Sequence, residues 1–399
     1  MRPCDHQQSE KTRATDLFHF VDDGPPVNRP WSAHALQYGA VPSNECSVYI
    51  GTYGGGIYSA TLCGDTGKLT AAGLAAQTVN PSFLAIDPSG RCLYAVSEQP
   101  EGSVSAWARD AQTGALRFLN RMPSGGALPC HVAVDPSGRT AIVANYSGGL
   151  AGFALLEDGR LGSLVSNDRW MGASGYSARQ SRPHPHGAFL SPDRRFAVVP
   201  DLGCDQLRVY RMGPDIGELS LSGLVATAAG AGPRHFAFHP SGRFGYALCE
   251  LESTLVWYRY RQEDGVLSQC GTISTLPLGY CGETIAAEIA LDRAGHYLYC
   301  SNRGADTIAV FGIDDDGVPH PVQQPPALGK NPRHFALDVS GDWMLVANQD
   351  SNQVVVFRRN GQTGEIVPAG QPIEVPSPAC VAVAPLPPIQ ATVTSIHRS

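Results

Sequence analysis

Short segments in which apolar and polar residues alternate recur along the chain at a regular interval. The segment 80–98, NPSFLAIDPSGRCLYAVSE, contains a proline, an alternating strand, a Pro-Ser-Gly-Arg turn and a second strand that ends on a polar residue. Glycine in the turn supplies the positive φ that a tight connection needs. The segment therefore predicts a β-hairpin.

Related segments begin at residues 128, 184, 232, 285, 331 and, in truncated form, 377, so the copies are spaced by 46 to 56 residues. Downstream of the hairpins lie further alternating strands, such as 254–260, 307–311 and 353–357, followed by an outer strand. Four strands in such a period make one blade of a β-propeller. The seven copies predict an all-β protein, a seven-bladed propeller of four-stranded antiparallel blades.

The last copy is incomplete, because Pro385 and Pro387 follow its single strand at 380–384. Its missing strands match 47–53 and 55–60 near the other end of the chain. We therefore expect the N-terminal strands to complete the C-terminal blade and close the ring, which removes the free strand edges. A β-solenoid would repeat every ~20 to 30 residues and would need no such complement.

The repeat predicts three regions of the chain. Residues 1–45 form an N-terminal extension that is flexible or draped over the surface, 46–386 form the propeller, and 387–399 form a C-terminal tail. The 44 glycines and 31 prolines agree with many tight turns.

Charge and hydropathy exclude several classes of partner. The formal net charge of −7 offers no basic footprint for nucleic acid. No apolar run approaches the ~18 residues of a membrane span, and the N-terminus lacks a signal-peptide pattern, so we expect a cytoplasmic protein with no membrane partner. The 11 cysteines are scattered singly, as expected of reduced core thiols rather than a zinc site.

Positions that differ among the copies are candidates for a site, because a scaffold recurs in every blade. The third position reads Ser82, Cys130, His186, Arg234, Ala287, Arg333 and Ala379. The fourth position reads Phe83, His131, Gly187, His235, Glu288, His334 and Cys380. The three histidines of the fourth position favour a repeated structural hydrogen-bonding role, whereas His186 is the single histidine of its column.

The nineteenth position ends the second strand, which we expect to face the mouth of the channel. It reads Glu98, Tyr146, Leu202, Glu250, Arg303 and Gln349, with Tyr53 as the seventh member, and the position before it adds Asn145, Asp201, Asn302 and Asn348. Such a polar ring either holds the blades together or forms a binding site, because a packed core does not tolerate it unpaired. Arginines 234, 303 and 333 favour a site for a carboxylate or phosphate.

Three pairs of motifs resemble the seven-bladed lactonase family, which contains the propeller-type 6-phosphogluconolactonases and the fungal carboxy-cis,cis-muconate cyclases. The pairs are GPRH at 232–235 with EL at 250–251, AAEI at 286–289 with SNRG at 301–304, and NPRH at 331–334 with ANQ at 347–349. The similarity covers about residues 47 to 385. The resemblance implies a catalytic set of His186, Arg234, Glu250 and Arg303. The blade comparison adds a substrate-binding set of Arg333, Asn348, Glu288, His235 and Tyr146.

The resemblance implies hydrolysis of a sugar-acid lactone, first of all 6-phosphogluconolactone to 6-phosphogluconate. We expect no metal or other cofactor, because guanidinium groups supply the positive charge. In this hypothesis two of the arginines at 234, 303 and 333 hold the acidic group of the lactone. Glu250 or His186 then deprotonates a water, and an arginine and Asn348 stabilise the oxyanion. The expected partner is the small-molecule lactone, and the expected assembly is a monomer or weak homodimer.

Three alternatives stay open at this point. A muconate-cyclase-type lactonising isomerase would use the same arginines with a proton donor in place of the base. A non-catalytic propeller would bind partners through its outer faces and would not need the Glu/Arg/His rim. A calcium-dependent gluconolactonase would need Glu98, Asp201, Glu250 and Asn348 to converge on one ion.

Overall fold

Seven four-stranded antiparallel sheets make up residues 44–386, the part of the chain that the computed structural model describes. The predicted seven-bladed propeller is confirmed. Its first strand begins at Glu45, one residue before the expected start. The C-terminal tail and the rest of the N-terminal extension lie outside the described residues.

The strands follow one another in the order that the repeat predicts. The first three are β1 (Glu45–Thr52), β2 (Gly56–Cys63) and β3 (Leu69–Gln77). Blade 1 comprises β4 (Leu84–Ile86), β5 (Cys92–Ser97), β6 (Ser103–Arg109) and β7 (Leu116–Pro123). Blade 2 comprises β8 (Ala127–Val134), β9 (Thr140–Ser147), β10 (Gly149–Leu155) and β11 (Leu161–Asp168). Blade 3 comprises β12 (Phe189–Leu190), β13 (Phe196–Asp201), β14 (Gln206–Met212) and β15 (Leu219–Ala226).

The second half of the ring repeats the arrangement. Blade 4 comprises β16 (Pro233–Phe238), β17 (Phe244–Cys249), β18 (Thr254–Arg261) and β19 (Val266–Ser274). Blade 5 comprises β20 (Ile285–Leu291), β21 (Tyr297–Arg303), β22 (Thr307–Ile313) and β23 (Pro319–Gln323). Blade 6 comprises β24 (Pro332–Leu337), β25 (Trp343–Asn348), β26 (Gln353–Arg359) and β27 (Ile366–Glu374). Blade 7 joins β28 (Pro378–Pro385) to β1, β2 and β3.

Blade 7 closes the ring as the truncated last copy predicts. Strand β28 pairs antiparallel with β1, and Val383 lies opposite Val48. The buried Arg109 of blade 1 braces this junction, because its guanidinium donates to the Pro385 carbonyl at 2.8 Å and to the Tyr49 hydroxyl at 2.9 Å. One side chain therefore ties both chain ends of the propeller to the neighbouring blade.

The core lies between neighbouring blades, which explains why the second strand of each blade is apolar on both faces. All six residues of β17 are buried, whereas the outer strand β19 alternates between exposed and more buried residues. Phe244 and Leu248 of blade 4 pack with Leu298 and Cys300 of blade 5. A strand that is apolar on both faces therefore lies between neighbouring blades, whereas a strand that alternates lies at the outer edge of its blade.

A repeated tyrosine also links successive blades. The hydroxyls of Tyr94, Tyr246 and Tyr299 donate to the carbonyls of Gly159, Gly317 and Gly364, respectively, in the outer turn of the next blade. These glycines have φ of +84°, +79° and +74°, a conformation that disfavours other residues. Helical structure in the described residues consists of two 3-10 turns, Ala178–Gln180 and Gln349–Ser351, neither of which could cross a membrane.

Candidate active site

A β-bulge near the start of the innermost strand aims two consecutive residues at the central channel. In β16, Pro233 lies opposite Cys249 and His235 lies opposite Leu248, so Arg234 is an extra residue without a partner in β17. Regular pleating would send residues 234 and 235 to opposite faces of the sheet, and the bulge removes that alternation. The ladders of β8, β20, β24 and β28 are shifted at the equivalent point.

Because of the bulge, the candidate residues lie in two groups at different depths in the channel. We name as the mouth cluster the side chains that gather where β17 and β21 end, which are Arg179, His186, Arg234, Glu250 and Arg303. We name as the histidine layer the four side chains of the fourth repeat position that lie deeper in the channel, which are His131, His235, Glu288 and His334. The structure thus brings Arg234, Glu250 and Arg303 of the expected catalytic set into contact, and His186 lies beside them, with its ring centroid 5.4 Å from that of His235.

Glu250 lies at the centre of the mouth cluster and is 1% exposed. Its Oε2 is 3.0 Å from Nε of Arg234 and 3.0 Å from Nη2 of Arg303. Its Oε1 is 2.5 Å from Nη1 of Arg179. Three guanidinium groups on one buried carboxylate make the cluster a cationic, preorganised binding surface.

These ion pairs determine the charge of Glu250. Burial alone would raise its pKa, but the guanidinium groups of Arg303, Arg234 and Arg179 together lower that pKa to about 2. Burial lowers the pKa of Arg303 to about 9, although Glu250 favours the charged guanidinium. The carboxylate and its arginines are therefore charged at neutral pH, and Glu250 is a poor proton acceptor.

Arg179 is a member of the cluster that the blade comparison missed. It lies in the 3-10 turn of the long connection between β11 and β12, outside the repeated hairpin. The sequence feature that could have pointed to Arg179 is the interval of 56 residues between the copies at 128 and 184, which is the longest interval between copies. An insertion in one blade marks a connection that the scaffold does not require.

His186 is buried beside the arginines and is uncharged at neutral pH. Burial, followed by the positive charge of Arg234, holds its pKa well below 6.5. Its Nδ1 has no hydrogen-bond partner within residues 44–386. The ring stands edge-on to Tyr146 at 5.6 Å, and Tyr146 in turn stacks on His184 at 4.1 Å. His186 is thus held by packing, and its Nδ1 is a buried atom that no described residue engages.

A second cationic group lies on the other side of the ring, where blades 6, 7 and 1 meet. Nη2 of Arg333 donates to the Tyr53 hydroxyl at 2.6 Å, and that hydroxyl donates to Oε2 of Glu98 at 2.6 Å. The guanidinium also lies 4.9 Å from the centroid of the Tyr53 ring. Glu98 balances Arg333 through the tyrosine, so this side carries less unpaired charge than the mouth cluster.

Backbone and arginine donors set the proton positions in the histidine layer. The Val381 amide donates to Nδ1 of His334 at 3.3 Å, and Nη1 of Arg234 donates to Nε2 of His235 at 3.2 Å. Each neutral imidazole has one N–H, so it must lie on the other nitrogen of each ring. Those two nitrogens face Glu288, at 3.1 Å from His235 and 3.3 Å from His334.

Glu288 differs in charge behaviour from Glu250. Burial raises its pKa, because its partners are neutral imidazoles and the Ile289 amide rather than ion-paired arginines. Burial also lowers the pKa of His334 to about 4. His235 and Glu288, expected as substrate contacts, therefore form a hydrogen-bonded network that supports Arg234 from below.

The remaining expected contact, Asn348, binds the backbone. Its amide donates to the Ala327 carbonyl at 2.9 Å, and Asn145 and Asn302 make the same contact in blades 2 and 5, with the carbonyls of Ser124 and Thr275. Recurrence in three blades favours a scaffold role for Asn348 over the expected oxyanion contact.

The four ligands of the calcium alternative do not converge. Oδ1 of Asp201 accepts the amides of His184 and Gly203, and its Oδ2 accepts the indole N–H of Trp170. Glu250 is paired with arginines, and Asn348 binds the backbone. Residues 44–386 contain no group of three acidic, histidine or cysteine side chains placed to hold a metal ion.

Comparison with known proteins gives concordant results. The family model described as "Lactonase, 7-bladed beta-propeller" matches residues 47–383. A 6-phosphogluconolactonase of Bacillus subtilis strain 168 is 34% identical over 340 residues, which are 84% of this chain and 97% of that protein. A 6-phosphogluconolactonase of Formosa agariphila is 32% identical, over 72% of this chain and 84% of that protein. The structure of a periplasmic gluconolactonase of Pseudomonas aeruginosa is similar at a TM-score of 0.80 and 31% identity, covering 86% of this chain and 100% of that one.

Proposed function

The chain belongs to the seven-bladed β-propeller lactonase family, and from that premise we propose that it hydrolyses 6-phosphogluconolactone to 6-phosphogluconate. The observation that carries the proposal is the mouth cluster, in which guanidinium groups surround one carboxylate beside a neutral histidine. Such a site binds an anionic substrate and accepts a proton from water. Buried charge at the channel mouth carries a desolvation cost, which a site for an anionic substrate offsets by binding.

His186 is the general base of this proposal, and Glu250 is not. A carboxylate whose pKa is lowered to about 2 has little tendency to take a proton. His186 is neutral at physiological pH, and its imidazole makes no side-chain hydrogen bond within residues 44–386. It takes a proton from the attacking water while the water oxygen bonds to the lactone carbonyl carbon.

Arg303 stabilises the oxyanion that forms on the carbonyl oxygen. Its Nη2 lies 3.0 Å from Oε2 of Glu250 and donates to the Ala286 carbonyl at 3.0 Å, and these two contacts hold the guanidinium in place. When the tetrahedral intermediate collapses, the bond between the former carbonyl carbon and the ring oxygen breaks. The proton on His186 passes to that oxygen, which leaves as a hydroxyl group.

Replacement of His186 by asparagine tests this assignment. We expect kcat on 6-phosphogluconolactone to fall by about 10²- to 10⁴-fold, the usual contribution of a positioned general base, with a smaller change in KM. His320→Asn is the matched control, because His320 is an exposed histidine on the outer strand β23. A near-normal rate in His186→Asn would overturn the role of His186. A wild-type protein without activity on this lactone would overturn the function.

We also propose a cytoplasmic enzyme that acts as a monomer or weak homodimer. The ten cysteines within the described residues are all free, which is typical of a reducing compartment. Cell fractionation tests the location, and light scattering across a concentration series tests the assembly. A stable higher oligomer, or recovery outside the cytoplasm, would contradict this proposal.

A further inference from the structure

Arg179 is held at the channel mouth by the connection between β11 and β12, which is longer than the corresponding connections between the other blades. The neighbouring Gln180 is fully buried, and its amide donates to the Leu202 carbonyl at 2.9 Å and to Oδ1 of Asp205 at 2.7 Å. Asp205 also accepts the amides of Gly230 and Gly232. The 3-10 turn is therefore pinned to the scaffold on one side, and Arg179 is carried on its other side.

Positive charge in the mouth cluster exceeds negative charge. Glu250 balances one of the three guanidinium groups that contact it. Glu288, which lies one layer deeper and acts on Arg234, balances a second at most. At least one positive charge is left for a ligand.

That charge is accessible at Arg179. The side chains of Arg234 and Arg303 are 4% and 9% exposed, whereas the side chain of Arg179 is 44% exposed. A guanidinium has five N–H donors, and the contact with Oε1 of Glu250 leaves others directed at solvent. Of the three arginines, Arg179 therefore offers the most accessible donors to a ligand that enters from outside.

Arg179 also lies next to the proposed reaction centre. The Tyr146 hydroxyl is near enough to Arg179 to help raise the pKa of its guanidinium, after the larger effect of Glu250, and the Tyr146 ring centroid lies 5.6 Å from that of His186. A lactone carbonyl placed beside His186 would therefore have its distal substituent near Arg179. A phosphate carries about two negative charges and three acceptor oxygens, which match a planar guanidinium better than a neutral hydroxyl does.

We propose that Arg179 binds the phosphate group of the substrate and so determines the preference for a phosphorylated over an unphosphorylated sugar lactone. This inference rests on the lactonase function proposed above. It assigns specificity to the connection between β11 and β12, while the core residues of the mouth cluster act on the lactone ring itself.

The test compares 6-phosphoglucono-δ-lactone with glucono-δ-lactone in the full-length protein. In Arg179→Gln we expect the ratio of the two kcat/KM values to fall by about 10- to 100-fold, the usual effect of losing charged hydrogen bonds, mainly through a higher KM for the phosphorylated lactone. Arg179→Lys should restore part of the preference, because it keeps the charge but not the planar donor set. Arg182→Gln, an exposed arginine of the same connection, is the matched control and should leave the ratio unchanged.

Inhibition by inorganic phosphate gives a second readout. Phosphate should inhibit the wild-type protein competitively, with an inhibition constant at least tenfold higher in Arg179→Gln. An unchanged KM for the phosphorylated lactone in Arg179→Gln, or an equal loss on both lactones, overturns the inference while the lactonase function stands. A wild-type protein that is inactive on both lactones overturns the function itself.

Discussion

The mouth cluster and the histidine layer each contain one buried glutamate that faces the channel, yet the two behave in opposite ways. Glu250 contacts three guanidinium groups, and its pKa is lowered to about 2. Glu288 contacts two imidazoles and a backbone amide, and burial raises its pKa. The two side chains are almost equally buried, so burial does not explain the difference.

The difference in pKa comes from the side chains that each glutamate contacts, and the geometry of the strands places those side chains. The residue at a bulge reaches the mouth, and the next residue reaches the deeper layer. Glu250 contacts one arginine at the bulged position, one at a strand end and one in the connection between β11 and β12, whereas Glu288 contacts two histidines of the fourth position. The mouth is thus specialised for binding and chemistry, and the layer beneath it holds the mouth in shape. Arg234 connects the two, because it contacts both Glu250 and His235.

The largest expected effect is that of Glu250→Gln. Loss of the carboxylate leaves buried arginines uncompensated, which costs about 3–5 kcal/mol when one partner of a buried pair is removed. We expect kcat/KM to fall by ~10³-fold or more and the melting temperature to drop, because a cost of this size also disorders the substrate arginines. The control is Glu252→Gln, an exposed glutamate two residues away. A variant with full activity would show that the cluster does not depend on its carboxylate.

Glu288→Gln should have a smaller effect, and mainly on stability. A glutamine can accept the N–H of only one histidine at its oxygen, and its amide N–H then faces the N–H of the other ring. One unsatisfied buried donor costs about 1–3 kcal/mol, whereas kcat/KM should change by less than ~10-fold. Chemical denaturation and steady-state assays of both glutamate variants measure the contrast. Equal losses of activity would mean that the two layers act as one catalytic unit.

The smallest effect expected from any single group is a pH dependence of stability that comes from the buried histidines. Burial holds the pKa values of His131, His186 and His235 well below 6.5 and lowers that of His334 to about 4. Below pH 6.5 the unfolded chain therefore binds more protons than the folded protein, so the free energy of unfolding decreases as the pH falls. Each histidine contributes up to about 1.4 kcal/mol per pH unit, and the raised pKa of Glu288 opposes part of this loss.

Thermal denaturation between pH 7 and pH 5 measures this slope. His131→Phe should reduce the slope by the equivalent of up to one bound proton. His131 is suited to this test because it packs against Phe83 at 4.2 Å and takes no part in the Glu288 network. A melting temperature that is independent of pH in this range would show that the histidines titrate in the folded protein as they do in the unfolded chain.

Much of the fold could be predicted because each blade repeats the same pattern of strands and turns. Alternating residues, turn glycines and a constant period define a four-stranded sheet without reference to the rest of the chain. Closure by β1 and β28 followed from the truncated last copy. Columns of equivalent positions also exposed His186, Arg234, Glu250 and Arg303, because a single site breaks the symmetry of a repeat.

The same columns could not separate binding residues from scaffold residues. Asn348 stands beside the polar rim, yet its amide binds the Ala327 carbonyl as its counterparts do in other blades. Arg179 has no equivalent position in the other blades, because it lies in an insertion. It contacts Glu250 only because the connection between β11 and β12 folds over the channel mouth. Tyr53 and Glu98 were visible as members of the rim, but their link to Arg333 spans three blades.

The sequence by itself determined the number of blades, their strand order, the closure of the ring and the residue types available at the channel mouth, since these depend on local pattern and on spacing. Only the tertiary structure decided which carboxylate is ion-paired, which buried histidine has a ring nitrogen without a partner in residues 44–386, and which arginine is exposed. Charge states and accessibility depend on desolvation and on distances between side chains that are far apart in the chain. The β-bulges that set those distances leave no distinct mark in the alternating pattern.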